Sequence, residues 1–185
     1  MIKLPNECFF EIFNNIRFDF KSLLSCLLVN RQWCKLIVPI LWSEPTEYFD
    51  DRGLIEMYLL ELNAKEQALL IPFKIILPNC PRPLFEYASY TKSVGGYLTA
   101  GIKNWLNGRR NFKYKKNYIE PMKAIKCSLI AMFLRASKNL MHLRLENIIY
   151  KTILENLSLN NTIISLSLNH VYFDHMELVP TEARQ

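Results

Sequence analysis

Within the first 42 residues, apolar side chains recur at helical spacing in three short consecutive runs, and no chain segment this small can hide so much of it unaided. Cys8, Phe9, Ile12, Phe13 and Ile16 form one stripe, with Phe10 off it, which predicts an amphipathic helix. Pro5 suits the first helical position, where its missing N–H costs nothing, and Glu7 favours the positive end of the helix dipole. The residue before them is Leu4, where Ser, Thr, Asp or Asn would normally bond the free amides. A leucine there points to a corner that meets another apolar surface. Asp19 is placed to cap a second helix carrying Phe20, Leu23, Leu24, Cys26, Leu27 and Leu28, which is apolar on more than one face and therefore needs cover on both sides. Asn30 caps a third, in which Val29, Trp33, Leu36, Ile37 and Ile40 share a face, and Pro39 is expected to end it.

These residues carry a family resemblance. Leu4-Pro5-x-Glu7, Ile12-Phe13, Leu23-Leu24, Val29-Asn30-Arg31-x-Trp33 and Leu41-Trp42 stand in the order and at the spacing of an F-box, which the segment resembles over about 39 of the 185 residues. The resemblance implies a three-helix segment, without a catalytic group, that binds a Skp-type adaptor. That subunit joins it to a cullin scaffold with a RING protein and a ubiquitin-conjugating enzyme. Carried over by position, Leu4, Pro5, Glu7, Phe9 and Ile12 would meet the adaptor from the first helix, and Leu23, Leu24 and Val29 from the second and its exit. Phe13, Trp33 and Leu36 read as internal packing. Cys8 departs from the pattern, which more often has a larger aliphatic there, and makes that contact smaller.

Composition narrows the remaining classes. Half the residues are apolar and 22% are charged, as in a packed globular protein. Pro5 and Glu7 interrupt any leader-like run, and the apolar stretches around 69–78 and 127–134 are broken well before membrane-spanning length, so a soluble protein of the cytoplasm or nucleus is expected, with no membrane partner. The five cysteines are an odd number without a CxxC pair, three of them inside apolar helical patterns, and fit a reducing compartment. His142, His170 and His175 lack ligand spacing, so no metal and no cofactor is expected. Neither a Gly-rich phosphate loop nor a GxSxG elbow is present, which speaks against an enzyme.

Residues 43–120 read as a linker over 43–51, helices through Leu54–Leu62 and Ala64–Leu70, a proline-broken connection between Pro72 and Pro83, and a helix through Ile102, Trp105 and Leu106 ending near Gly108. Basic charge concentrates between Lys103 and Lys126, where eight Lys and Arg face the single acid Glu120, against a net charge of +6 for the whole chain. Arg109, Arg110, Lys113, Lys115 and Lys116, interleaved with Phe112, Tyr114 and Tyr118, form a candidate patch for an acidic partner. The competing function is nucleic-acid binding through this segment, by phosphate contact and base stacking.

From Pro121 a helix through Ala124, Ile125, Leu129, Met132, Phe133 and Ala136 is predicted, followed by a repeat: Leu140-x-x-Leu143-x-Leu145 recurs as Ile163-x-x-Leu166-x-Leu168, each position 23 residues on. That spacing lies in the leucine-rich-repeat range, in which two alternating leucines face inward on a short strand and the intervening chain returns as helix or turn. The expected fold is mainly α with short parallel β-strands: a three-helix box over 1–42, a helical region with the basic segment over 43–120, and a truncated leucine-rich-repeat-like α/β stub over 121–185. Two units leave the last strand with an open edge that another chain can pair with. The function expected is a non-catalytic substrate-recognition subunit of a cullin-RING ubiquitin ligase, with an unknown protein substrate.

Overall fold

The computed structural model describes residues 4–81, 83–109 and 118–174. Helices α1 (Asn6–Asn15), α2 (Phe20–Leu27) and α3 (Arg31–Leu41) form the amino-terminal unit. The Asp19 carboxylate accepts from Ser22 N (3.1 Å) and Ser22 Oγ (2.6 Å), and Asn30 Oδ1 accepts from Trp33 N (2.9 Å), so α2 and α3 begin where their side-chain caps satisfy free amides. Those bonds hold the Asp19 carboxyl below its ordinary value. Pro5 lies one position earlier than its sequence suits, as the cap of α1 with no side-chain bond. Pro39 does not end α3, which runs on to Leu41. Proline removes one amide donor to the carbonyl four residues back, on exposed Lys35, and only two helical residues follow it, so water can replace the lost bond. Phe13, Leu23 and Ile37 make the buried centre, with Phe9, Ile16, Cys26, Leu27, Trp33, Leu36, Ile40 and Leu41 around it.

The second unit is built on α8 (Ile119–Ala136), which is buried on most of its circumference through Ala124, Ile125, Cys127, Leu129, Met132 and Phe133. Helices α5 (Arg52–Leu59), α6 (Ala64–Ala68) and α7 (Tyr97–Asn107) lie against it directly or through one another, burying Tyr58, Leu98, Ile102 and Trp105 in the same core. Gly108 closes α7 as the sequence predicts.

A three-stranded parallel sheet, in the order β1 (Ser93–Val94), β2 (His142–Tyr150), β3 (Ser165–Asp174), lies beside the helices, with α9 (Lys151–Leu159) as the β2–β3 crossover. The 23-residue spacing is the pairing register itself: Leu143 stands opposite Leu166 and Leu145 opposite Leu168. Strand β1 is outside that period, since it pairs Ser93 with His142 and is separated from β2 by α7 and α8. Only one βαβ unit carries the spacing among the described residues.

The expected linker is structured. Pro45–Tyr48 forms the short helix α4, and Ser43 O accepts from Lys92 N (2.7 Å) and Ser93 N (3.1 Å). Thr46, fully buried, takes the Gly95 N–H on its hydroxyl at 2.9 Å, and Ser93 Oγ donates to Glu47 at 2.5 Å. Trp42 stacks on Tyr87 with ring centroids 4.0 Å apart and meets Tyr58 edge-on at 5.4 Å. The end of the first unit is thus part of the second unit's wall.

Candidate protein-interaction surface

The apolar stripe of α1 divides in two. Phe13 is buried, and Phe9 and Ile16 pack beside it, with the Phe9 and Phe13 rings 5.5 and 5.1 Å from Trp33. Cys8 and Ile12, four residues apart and so on one side of the helix, face outward, and Leu4, which precedes the Pro5 cap, is exposed as well. Helix α2 divides likewise: Leu23 has no exposed surface, whereas Leu24 and Leu28 are exposed one turn apart. Leu4, Ile12, Leu24, Leu28 and Val29 keep between 46% and 82% of their surface in solvent. Monomers normally cover such residues when they come in groups. The cover on both sides of α2 that its sequence calls for is therefore supplied on one side only.

Leu23 is accordingly corrected from a surface contact to a core residue, against which α1 and α3 close. Pro5 and Glu7 are exposed, and Phe9 is half-buried. Phe13, Trp33 and Leu36 lie in or against the core of the box, although Leu36 also borders a shallow groove with Asn6, Glu7, Phe10 and Glu11. The Gln32 side-chain amide donates to Asn6 Oδ1 across that groove's end, tying α3 to the start of α1. Sequence reasoning missed Leu28, whose place one turn after Leu24 was the available signal. It also missed an aromatic group in which Phe20 meets Phe49 at 4.8 Å and Tyr48 at 6.2 Å, because Tyr48 and Phe49 fell in the supposed linker.

The basic segment is not a uniform surface. Lys126 is buried, its ammonium donating to Thr99 Oγ1 (2.9 Å) and Glu146 O (3.1 Å), and desolvation holds it below the ordinary lysine value. Arg109 stacks over Trp105 at 4.5 Å and faces Glu56 at 3.6 Å, while Lys123 is bonded to Glu120 at 2.6 Å. Lys103 is exposed. Arg110, Lys113, Lys115 and Lys116 lie outside the described residues. Three of the eight cations are thus engaged internally, which weakens the phosphate-binding reading of the window.

No helix among the described residues is long and apolar enough to cross a membrane, and no group of three or more His, Cys, Asp or Glu among them is arranged to hold a metal ion. Residues 1–47 match the family model described as F-box-like. No curated protein and no solved structure matches the chain. Residues 1–47, which hold α1 to α3 and the first part of α4, are an F-box-like domain, of the kind that generally serves as a protein-interaction adaptor.

Proposed function

We propose that the chain is an F-box adaptor that binds a Skp-type subunit through the outward sides of α1 and α2, and that its second unit presents a protein partner to the attached cullin-RING ubiquitin ligase. The observation that carries this reading is the unfinished burial of the box: five large aliphatic side chains stand in water on a domain whose own core is complete. Fully burying an aliphatic side chain of this size is worth roughly 1.5–3 kcal/mol. A companion that covered them would recover a large share of that. Leu4 and Pro5 at the start of α1 and Val29 at the exit of α2 form the ends of the surface, with Glu7 and Phe9 beside them.

The second unit supplies the presenting side, with its leucine-rich-repeat-like βαβ unit exposed at the far edge of the sheet. Catalysis resides in the ubiquitin-conjugating enzyme of the complex, and the site of action is cytoplasmic or nuclear. The test uses the whole chain, because cutting after Trp42 would remove a wall of the second unit. Ligase is reconstituted from the Skp-type adaptor, cullin, RING protein and conjugating enzyme, and ubiquitin transfer to a protein co-purified with the chain is followed. Transfer is expected with the native sequence and is expected to disappear with Ile12→Asp/Leu24→Asp. Equal transfer with that variant would end the adaptor reading.

A further inference from the structure

Strand β3 is the outer edge of the sheet among the described residues, and the groups it offers are specific. Ser165 N donates to Met141 O at 3.0 Å, which fixes the phase of the parallel ladder. Because alternate residues of a parallel strand turn both main-chain groups to one neighbour, Ser165, Ser167 and Asn169 serve β2, and Leu166 and Leu168 turn their N–H and C=O outward. The same two leucines continue the buried face of Leu143 and Leu145, yet they remain 46% and 49% exposed.

The regular part of this edge is short and bounded. Glu146 pairs with Asn169 but Ile148 with Tyr172, so one residue of β2 stands against two of β3, and His170 takes the left-handed conformation at φ 48°. That bulge closes the straight stretch to Ser165–Asn169. Its sequence, Ser-Leu-Ser-Leu-Asn, places a leucine on either side of a central serine and contains no charge and no proline, the usual guards of an exposed edge.

From these features we infer that β3 pairs antiparallel with β3 of a second copy of this chain, about a two-fold axis through Ser167. The axis sets Leu166 opposite Leu168 of the second copy and Leu168 opposite its Leu166. Each such pair exchanges two N–H···O bonds, using the groups that β2 leaves free. An isologous interface requires every contact to be made twice, and a leucine on each side of the axis meets that requirement without bringing like charges together. The four leucines then extend the apolar face across the junction. Five residues per side is a small interface, below the usual size of a permanent dimer, so association depends on concentration. This goes beyond the adaptor reading and does not depend on it; where both hold, each assembly carries two boxes.

Sedimentation equilibrium on the full chain, from micromolar to several hundred micromolar, is expected to show the mass rising from 21.8 kDa toward twice that value. Leu166→Lys/Leu168→Lys and Leu166→Glu/Leu168→Glu change half-exposed side chains only, and thermal melts establish that each variant stays folded. Each is expected to remain monomeric alone, and an equimolar mixture to recover the doubled mass, since Lys then faces Glu across the axis. A native chain that stays at 21.8 kDa throughout would overturn the proposal, as would a Lys variant that associates like the native chain or a mixture that does not associate. Slow amide exchange at Leu166 and Leu168 in a monomeric native chain would show another segment or a foreign peptide covering the strand, and would overturn it too.

Discussion

Leu23 and Leu24 are consecutive residues of α2, yet Leu23 is wholly enclosed by the box and Leu24 is 54% exposed. A helix turns about 100° per residue, which carries the first into the core with Phe13 and Ile37 and swings the second outward. Their alanine variants therefore separate folding from docking. Leu23→Ala is expected to lower unfolding stability by about 3 kcal/mol, in the range for a large-to-small change in a closed core. Leu24→Ala is expected to change stability by less than about 0.5 kcal/mol, as surface changes do, and to weaken adaptor binding. Urea unfolding of both checks this, and equal destabilisation would contradict the division of α2.

The Trp42–Tyr87 stack makes a second expectation. Trp42→Ala removes a ring that touches Tyr87 and Tyr58, both in the second unit, and should cost about 3 kcal/mol. Near-ultraviolet circular dichroism should show the loss in the tertiary signal of the second unit. A variant with an unchanged melting profile would mean that the two units do not lean on this residue.

Lys126 predicts a pH dependence. Burial lowers its value below the 10.5 of a free lysine. Between the lowered folded value and 10.5 the unfolded chain binds more protons than the folded one, so this group's contribution to stability rises with pH across that window. Lys126→Met should flatten that rise relative to the native chain in urea titrations at stepped alkaline pH. Parallel profiles for the two proteins would contradict it.

Gly101 sits where α7 meets α5, and a Cβ there would lie 3.1 Å from Ile55 Cγ1 and 3.2 Å from its Cδ1. Ile55 is 1% exposed and has little room to yield, so Gly101→Ala should destabilise by about 1–2 kcal/mol despite alanine's better helix propensity. Adding Ile55→Val removes Cδ1 and should recover part of the loss. A double variant less stable than the single one would refute overpacking as the cause.

Much of this organisation was legible in the chain. Asp19 and Asn30 announced two helix starts because a short acceptor side chain before an apolar run has few other uses. The 23-residue spacing became strand register because two parallel strands that pair hold a constant offset along their regular stretch. Other features were hidden for physical reasons. Two adjacent leucines on a helix apolar on several faces do not say which of them turns inward, so Leu23 was misplaced. Pro39 reads as a stop unless the helix is known to end within the next turn. Strand β1 is two residues long, too short to show alternation, and α4 looks like a linker until Thr46 and Ser43 are seen bonded to residues 92–95. Lys126 counted as surface charge because nothing local reveals that α7 and β2 close over it.

The most direct test of the adaptor account is calorimetric titration of the whole chain with a purified Skp-type adaptor, native sequence against Leu4→Ala/Pro5→Ala, at low and high salt. The account predicts binding by the native chain that salt changes little, and a loss of at least about tenfold in the double variant, equivalent to about 1.4 kcal/mol. Native-like affinity in a folded double variant would contradict the placement of this corner in the interface, and no binding by the native chain would contradict the account as a whole.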